Sequence, residues 1–240
     1  MIENFVISLD RTPERLAEFS ASNPHIKFKK FSAVDGKKIN TSSLIESGLL
    51  TSELKYNNSA IGCALSHLTL WQHSINTNSP VTIIEDDCLL HVDFESISEK
   101  IISSLDNYDL IQWGWNFEGP IEYLNSKETG KIRALFDHTS LCEGSKNFTN
   151  HREKIELYKA LFYYGTTCYT ISPAGARRLI SLLIPFKDFY PYLNVKFQLN
   201  PGLDCTLNYV HPIINSYACI FPIAFTLNDK SKSTIPIDYL

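Results

Sequence analysis

The chain has 240 residues, 44% of them hydrophobic, and a formal net charge of −4. That length supports a sizeable α/β core, and the mild negative charge leaves no electrostatic footprint for a nucleic-acid partner. Six cysteines lie scattered without C-x-x-C or Cys/His ligand spacing, which argues against a structural zinc site, and no apolar run is long enough for a transmembrane helix.

Asn4 to Leu9 reads as a compact strand that opens onto Asp10-Arg11-Thr12-Pro13-Glu14-Arg15. Thr12 is a natural N-cap, Pro13 suits the first helical position, and Glu14 suits the positive helix end. The unit offers unpaired backbone N–H groups with Arg11 and Arg15 beside them, a seat for phosphate. The competing reading makes both arginines solvated helix-start residues. No glycine-rich fingerprint supports a dinucleotide-type or Walker-type loop. Phe28 to Val34 reads as a second strand ending in the turn signal Asp35-Gly36. A short helix is expected from Thr41 to Gly48. A longer one runs from about Ala60 to Asn76, capped by Ser59, with an apolar stripe of Ile61, Leu65, Leu68, Trp71 and Ile75. His67 lies off that stripe and either satisfies a buried backbone group or touches a ligand.

Ser79-Pro80 then opens Val81-Thr82-Ile83-Ile84, a buried-strand pattern that stops at Glu85-Asp86-Asp87. Carboxylates cannot enter a core unpaired. Ligands of open α/β sheets gather at the carboxyl ends of strands, and hard anionic oxygens suit Mg²⁺ or Mn²⁺. Strand alternation would put Glu85 and Asp87 on one face and Asp86 on the other. An acidic turn exposed to water is the alternative.

Asp93 can cap a helix with the apolar face Phe94, Ile97, Ile101 and Leu105, and Asp109 to Trp113 reads as a strand. From Asn116 to Lys154 the pattern dissolves, which suggests a variable insertion or lid. Order returns over Leu161 to Ile171, around Gly165-Thr166-Thr167. Ser172-Pro173 starts a helix running to about Ile184, in which Gly175 permits close packing. Phe186 to Gly202 reads as loop, Leu203 to Asn208 as a short helix with Asp204 near its start, and Ile213 to Phe221 as a late strand. Without repeats or linkers, residues 1–240 read as a single domain. The N-terminus lacks a basic-then-apolar leader, so a reducing cytoplasmic setting with free thiols is expected.

There is no G-x-S-x-G and no H-E-x-x-H. What remains is an acid triplet for a divalent metal, strand-end turns at Asp10 and Asp35, and a remote acid such as Asp204. A metal bridging carboxylate and diphosphate would neutralise a nucleotide leaving group, and a second carboxylate would deprotonate an attacking hydroxyl. Sugar transfer from a nucleotide donor follows.

Six segments in order then match a family. They are Val6-Ile7-Ser8-Leu9-Asp10-Arg11-Thr12-Pro13-Glu14-Arg15, Phe31-Ser32-Ala33-Val34-Asp35-Gly36, the stretch Ile61-Gly62-Cys63 through Ser66-His67 to Trp71, Glu85-Asp86-Asp87, Gly165-Thr166-Thr167-Cys168 to Ser172, and Gly202-Leu203-Asp204. The chain resembles glycosyltransferase family 25, the lipopolysaccharide and lipooligosaccharide galactosyltransferase group that also includes collagen galactosyltransferases. The resemblance implies a GT-A-like, Rossmann-type αβα sandwich with a mainly parallel central sheet. It implies an inverting enzyme that moves a hexose, galactose foremost, from a UDP-sugar to a lipid-linked lipooligosaccharide acceptor, with Mn²⁺ or Mg²⁺ as cofactor. The resemblance places Asp87 on the metal, with Glu85 on the metal shell or the ribose. Ser8, Leu9, Arg11 and Arg15 would line the nucleotide pocket, with Asp35 and Gly36 beside the base or ribose. Ser66 and His67 would shape the donor side, and Gly165 and Thr166 would border the sugar. Asp204 is the expected general base, with helix capping as its alternative role and Asp188 as the fallback base. The expected site of action is the cytoplasm, with peripheral contact to the inner membrane. A metal-dependent nucleotide-sugar hydrolase and a non-catalytic nucleotide- or carbohydrate-binding module are the rival readings.

Overall fold

Apolar residues on alternate sides of the early strands build a sheet that is buried on both faces. A computed structural model describes residues 2–126, 130–188 and 200–226. The first half of the chain forms β1 (Glu3–Ser8), α1 (Pro13–Ser22), β2 (Lys29–Ser32), a 3-10 turn (Gly36–Lys38), α2 (Thr41–Glu46) and α3 (Asn58–Thr77). Next come β3 (Val81–Glu85), β4 (Cys88–Leu90), α4 (Phe94–Ser103), β5 (Leu110–Gly114), β6 (Ile121–Ser126), β7 (Gly130–Ala134) and α5 (His138–Phe148). The described chain closes with β8 (Glu156–Phe162), β9 (Cys168–Ile171), α6 (Pro173–Leu183), α7 (Leu203–Leu207), β10 (Ser216–Ile220) and β11 (Ala224–Thr226).

One nine-stranded sheet has the order β2-β1-β3-β9-β5-β10-β8-β6-β7, and β4 pairs with β11 in a small antiparallel ribbon. Strands β2, β1, β3, β5, β10 and β6 run one way, while β9, β8 and β7 run the other. The central part is thus mainly parallel, as expected, with β9 inserted in reverse between β3 and β5. Phe5, Ile83, Leu110 and Ile171 turn to one side, where α3 and α6 cover them. Val6, Ile84, Ile111 and Cys168 turn to the other, against Phe19 of α1 and Phe94 of α4. This is the three-layer αβα arrangement that a sheet with two apolar faces requires.

Several expected boundaries move. Helix α3 begins at Asn58, because the Asn57 side chain, not Ser59, accepts from the Ala60 N–H at 2.8 Å. Its most deeply buried line is Ala60, Ala64, His67, Trp71 and Ser74, while Leu65, Leu68 and Ile75 pack at the flanks. Small residues on the inner line let the helix approach the sheet closely. The side chain of Asp93 makes no cap bond. The Leu161 to Ile171 segment is broken into the end of β8, a five-residue connection and β9. The stretch from 116 to 154, expected as an insertion or lid, contributes β6, β7 and α5, and its two strands extend the main sheet beyond β8. Most of the expected loop, 189–199, and the tail past 226 lie outside the described residues. No helix among the described residues is long and apolar enough to cross a membrane.

Ser172 caps α6 as expected, accepting from the Gly175 N–H at 2.9 Å. A Cβ on Gly175 would stand 2.1 Å from the Asp109 carbonyl oxygen, so the absent side chain sets how closely α6 approaches the chain entering β5. Gly175→Ala should therefore destabilise the fold by roughly 1–3 kcal/mol through overpacking. Gly144→Ala, in exposed α5 with nothing within 4 Å of the added carbon, should stabilise it by about 0.5–1 kcal/mol. Urea denaturation of both variants checks the pair, and an unchanged midpoint for Gly175→Ala would refute the close approach.

Candidate active site

Strand β3 ends at Glu85, and Asp86 and Asp87 form the turn into β4. The strand alternation expected through Asp87 therefore stops one residue into the triplet. Arg15 of α1 reaches this turn across 71 residues of chain, donating from Nε to Asp86 Oδ1 at 2.8 Å and from Nη2 to the same oxygen at 2.5 Å. Its Nη2 also stands 3.5 Å from Asp87 Oδ2. The guanidinium expected beside a phosphate is the countercharge of the acidic turn. Arg11 likewise pairs with Asp35 at 3.3 Å. Asp35 caps the 3-10 turn through the Lys37 N–H, and this bond, then Arg11, holds its carboxyl below the usual range.

Reversal of β9 brings its leading residues to the edge where β1 and β3 end. The Thr166 hydroxyl donates to Glu85 Oε1 at 2.5 Å, and the Glu85 N–H donates to the Thr167 carbonyl at 2.9 Å. Gly165 adopts φ +84°, and its N–H donates to Asp204 Oδ2 at 3.0 Å. A side chain at Gly165 would be strained by that angle and would strike the Asn116 backbone nitrogen at 2.8 Å. Glu85 and Asp204 thus flank a single dipeptide, Gly165-Thr166. Asp204 makes no cap bond to α7. The fallback acid Asp188 pairs instead with Lys55 at 3.3 Å.

Burial pushes the Glu85 carboxyl up to about 8, with Asp87, Asp204 and Asp86 adding repulsion and the Thr166 hydroxyl opposing it. Asp87 is raised too, first by the protein packed around it and then by Asp86, against the pull of Arg15. Its side chain nevertheless keeps 39% of its surface exposed, and Glu85 keeps 31%, so both reach solvent. Hard oxygen donors and an excess of negative charge around Arg15 fit Mg²⁺ or Mn²⁺ at Glu85 and Asp87.

Helix α3 supplies the other wall. His67 is fully buried, and burial lowers its pKa to about 3, so the ring is neutral. Its Nδ1 meets the Tyr169 hydroxyl at 2.8 Å, and Trp71 Nε1 donates to that hydroxyl at 2.8 Å. It therefore satisfies no backbone group, and its Nε2 stands 3.9 Å from Glu85 Oε1. Cys63, one turn earlier, has its thiol pushed up by burial and then by Glu85 and Asp204, which makes it a poor nucleophile.

Other expected pocket residues also make contacts that hold the fold together. Ser66 is fully buried, donating to the Gly62 carbonyl at 2.8 Å and accepting from the Val34 N–H at 2.9 Å. Its hydroxyl clamps α3 to the chain after β2. Gly36 packs on the start of α3, where a Cβ would stand 2.5 Å from the Asn58 carbonyl oxygen. Ser8 is buried with its hydroxyl unpartnered among the described residues, and the Leu9 carbonyl accepts from the Thr12 N–H at 3.1 Å. Sequence reasoning missed Cys63 and Tyr169. The only signal for Cys63 was its spacing of four from His67, which puts both on one helical face.

A family model for glycosyltransferase family 25, described as an LPS biosynthesis protein, matches residues 1–194. The chain is 28% identical over 220 residues to the probable inactive glycosyltransferase 25 family member 3 of Rattus norvegicus, covering 83% of this chain and 34% of that protein. It is 29% identical over 208 residues to a glycosyltransferase 25 family member of Drosophila melanogaster, covering 79% and 30%. With procollagen galactosyltransferase 2 of Homo sapiens the identity is 26% over 258 residues, covering 97% and 38%. The chain spans about a third of the length of these curated relatives.

The raised Glu85 carboxyl has a consequence for stability. Between its ordinary value of 4.5 and about 8, the folded metal-free protein keeps a proton that the unfolded chain has released. Stability contributed by this group is therefore lost as pH rises through that window, by at most about 1.4 kcal/mol per pH unit. Glu85→Gln cannot ionise and should lack this component. Urea denaturation in the presence of chelator should show the variant gaining on the wild type from about pH 5 to about pH 8. Parallel pH profiles would contradict the raised value.

Proposed function

We propose that this chain, which belongs to glycosyltransferase family 25, moves a hexose, galactose foremost, from a UDP-sugar to a hydroxyl of a lipooligosaccharide-type glycan. The observation that carries the reading is the meeting of Glu85 and Asp204 around Gly165-Thr166, beside Asp87. It supplies two distinct acidic stations within one cleft, as displacement of a nucleotide requires. Glu85 and Asp87 would hold a divalent cation, which when bound offsets charge on the departing diphosphate. Asp204 has Oδ2 held by the Gly165 N–H, leaving Oδ1 to take the proton of the attacking acceptor hydroxyl. The acceptor oxygen then bonds to the anomeric carbon as the bond to UDP breaks, with inversion. Neutral, buried His67 supplies no proton and serves as a wall of the cleft. A lipid-linked acceptor would place the work at the cytoplasmic face of the inner membrane.

Similarity to a relative named inactive favours a rival reading, a nucleotide- or sugar-binding module. Calorimetric titration with UDP should show binding that depends on Mn²⁺ and is lost in Asp87→Ala. Asp204→Asn should retain UDP binding and lower transfer by about 10²-fold or more. Undiminished transfer by that variant would remove Asp204 as base. UDP binding without any turnover across a panel of donors and acceptors would favour the module, and UDP release independent of acceptor would favour a hydrolase.

A further inference from the structure

Cys63 and His67 occupy one face of α3, and Glu85 ends the adjoining strand. A ligand atom from each of the three lies within 4.8 Å of the other two. The second, independent observation is His67 Nε2, which is buried, has no hydrogen-bond partner among the described residues and stands 3.9 Å from Glu85 Oε1. A buried nitrogen with an unmade hydrogen bond is destabilising, and a ligand at this point would satisfy it.

The surroundings suit a metal. A metal-bound imidazole needs its other ring nitrogen held by an oxygen, which fixes ring and tautomer. Here the Tyr169 hydroxyl holds Nδ1 at 2.8 Å, and Trp71 Nε1 fixes that hydroxyl from its other side. With Nδ1 protonated and donating to Tyr169, the lone pair of Nε2, 3.9 Å from Glu85 Oε1, is left for a ligand. Thr166 likewise fixes one oxygen of Glu85. In tetrahedral zinc sites, bond lengths of about 2.3 Å to sulfur and 2.0 Å to nitrogen put neighbouring ligand atoms about 3.5 Å apart. The three ligand atoms, now within 4.8 Å of one another, would draw together by about 1 Å on binding.

We propose that Cys63, His67 and Glu85 form a site for a borderline transition metal of the Zn²⁺ class, distinct from the hard-cation position at Glu85 and Asp87. A thiolate and an imidazole favour Zn²⁺ or Co²⁺ over Mg²⁺. Binding releases the Cys63 thiol proton to solvent, and three protein ligands leave the fourth position open to water. Because Glu85 belongs to both positions, an ion held here withdraws it from the acidic turn, and Zn²⁺ inhibits sugar transfer. That inhibition rests on the proposed transfer reaction, whereas metal binding does not.

Titration of the full chain with Co²⁺, without UDP or acceptor, tests the site by absorbance. The expected result is a thiolate-to-cobalt charge-transfer band in the near ultraviolet that saturates at one ion per chain. Asp87→Asn should retain the band. Cys63→Ser, shown by circular dichroism to be folded, should lose it and bind Co²⁺ more weakly by at least the roughly 10-fold that loss of an outer-shell partner costs. Absence of the band in the wild type, its persistence in Cys63→Ser, or its loss in Asp87→Asn would each overturn the assignment. None of these readouts depends on transferase activity, so the site can fail while the enzymatic reading stands, and the reverse.

Discussion

Like charges crowded at the end of a core strand must be compensated, and much of the local architecture answers that requirement. Strand β3 is buried until its last residue and then releases three carboxylates in succession. The turn after β1 launches α1 with Pro13 at its first position, which brings Arg15 back over Asp86 and Asp87. Thr166 and the peptide of Thr167 hold Glu85 from the opposite side. The compensation is partial. Burial first, and then repulsion from Asp87, Asp204 and Asp86, leave Glu85 with a raised affinity for a proton, and the same repulsion favours a metal cation.

How much of this was readable varied with how local the signal is. Strands β1, β3 and β5 carry the short apolar clusters Phe5-Val6-Ile7, Ile83-Ile84 and Leu110-Ile111, and α6 carries its own start signal in Ser172-Pro173, so each stands out in isolation. Helix α3 was legible in length but not in orientation. Its most deeply buried line sets the small Ala60, Ala64 and Ser74 beside His67 and Trp71, so Leu65, Leu68 and Ile75 of the expected stripe mark its flanks. Strands β6 and β7 looked like loop for the opposite reason. They lie at the sheet margin and carry polar residues, with Lys131 and Arg133 of β7 paired to Glu122 of β6 at 3.1 and 3.7 Å. Cross-strand charge pairs stabilise an exposed ribbon while erasing its hydrophobic alternation.

The site shows the same division. Glu85, Asp87 and Asp204 are conspicuous as acids, but nothing local joins Asp204 to a turn more than a hundred residues earlier. The join depends on the reversed insertion of β9, a property of sheet order. Ser66 and Gly36 sit in matching segments yet serve packing, because a motif records every residue a fold needs and not only those that meet a ligand.

The five residues between β8 and β9 are bonded one by one: Tyr163 to Asn208, Tyr164 to Asn116, Gly165 to Asp204, Thr166 to Glu85 and Thr167 to Glu85. Their two strands are separated in the sheet by β5 and β10, so the strap crosses that distance with no slack. One added or deleted residue would slide Thr166 off Glu85 or Gly165 off Asp204. The strap therefore tolerates no change of length while both acids keep their partners. In an alignment, an ungapped column block at this position would separate chains that keep both acids in register from chains that have given up the pairing.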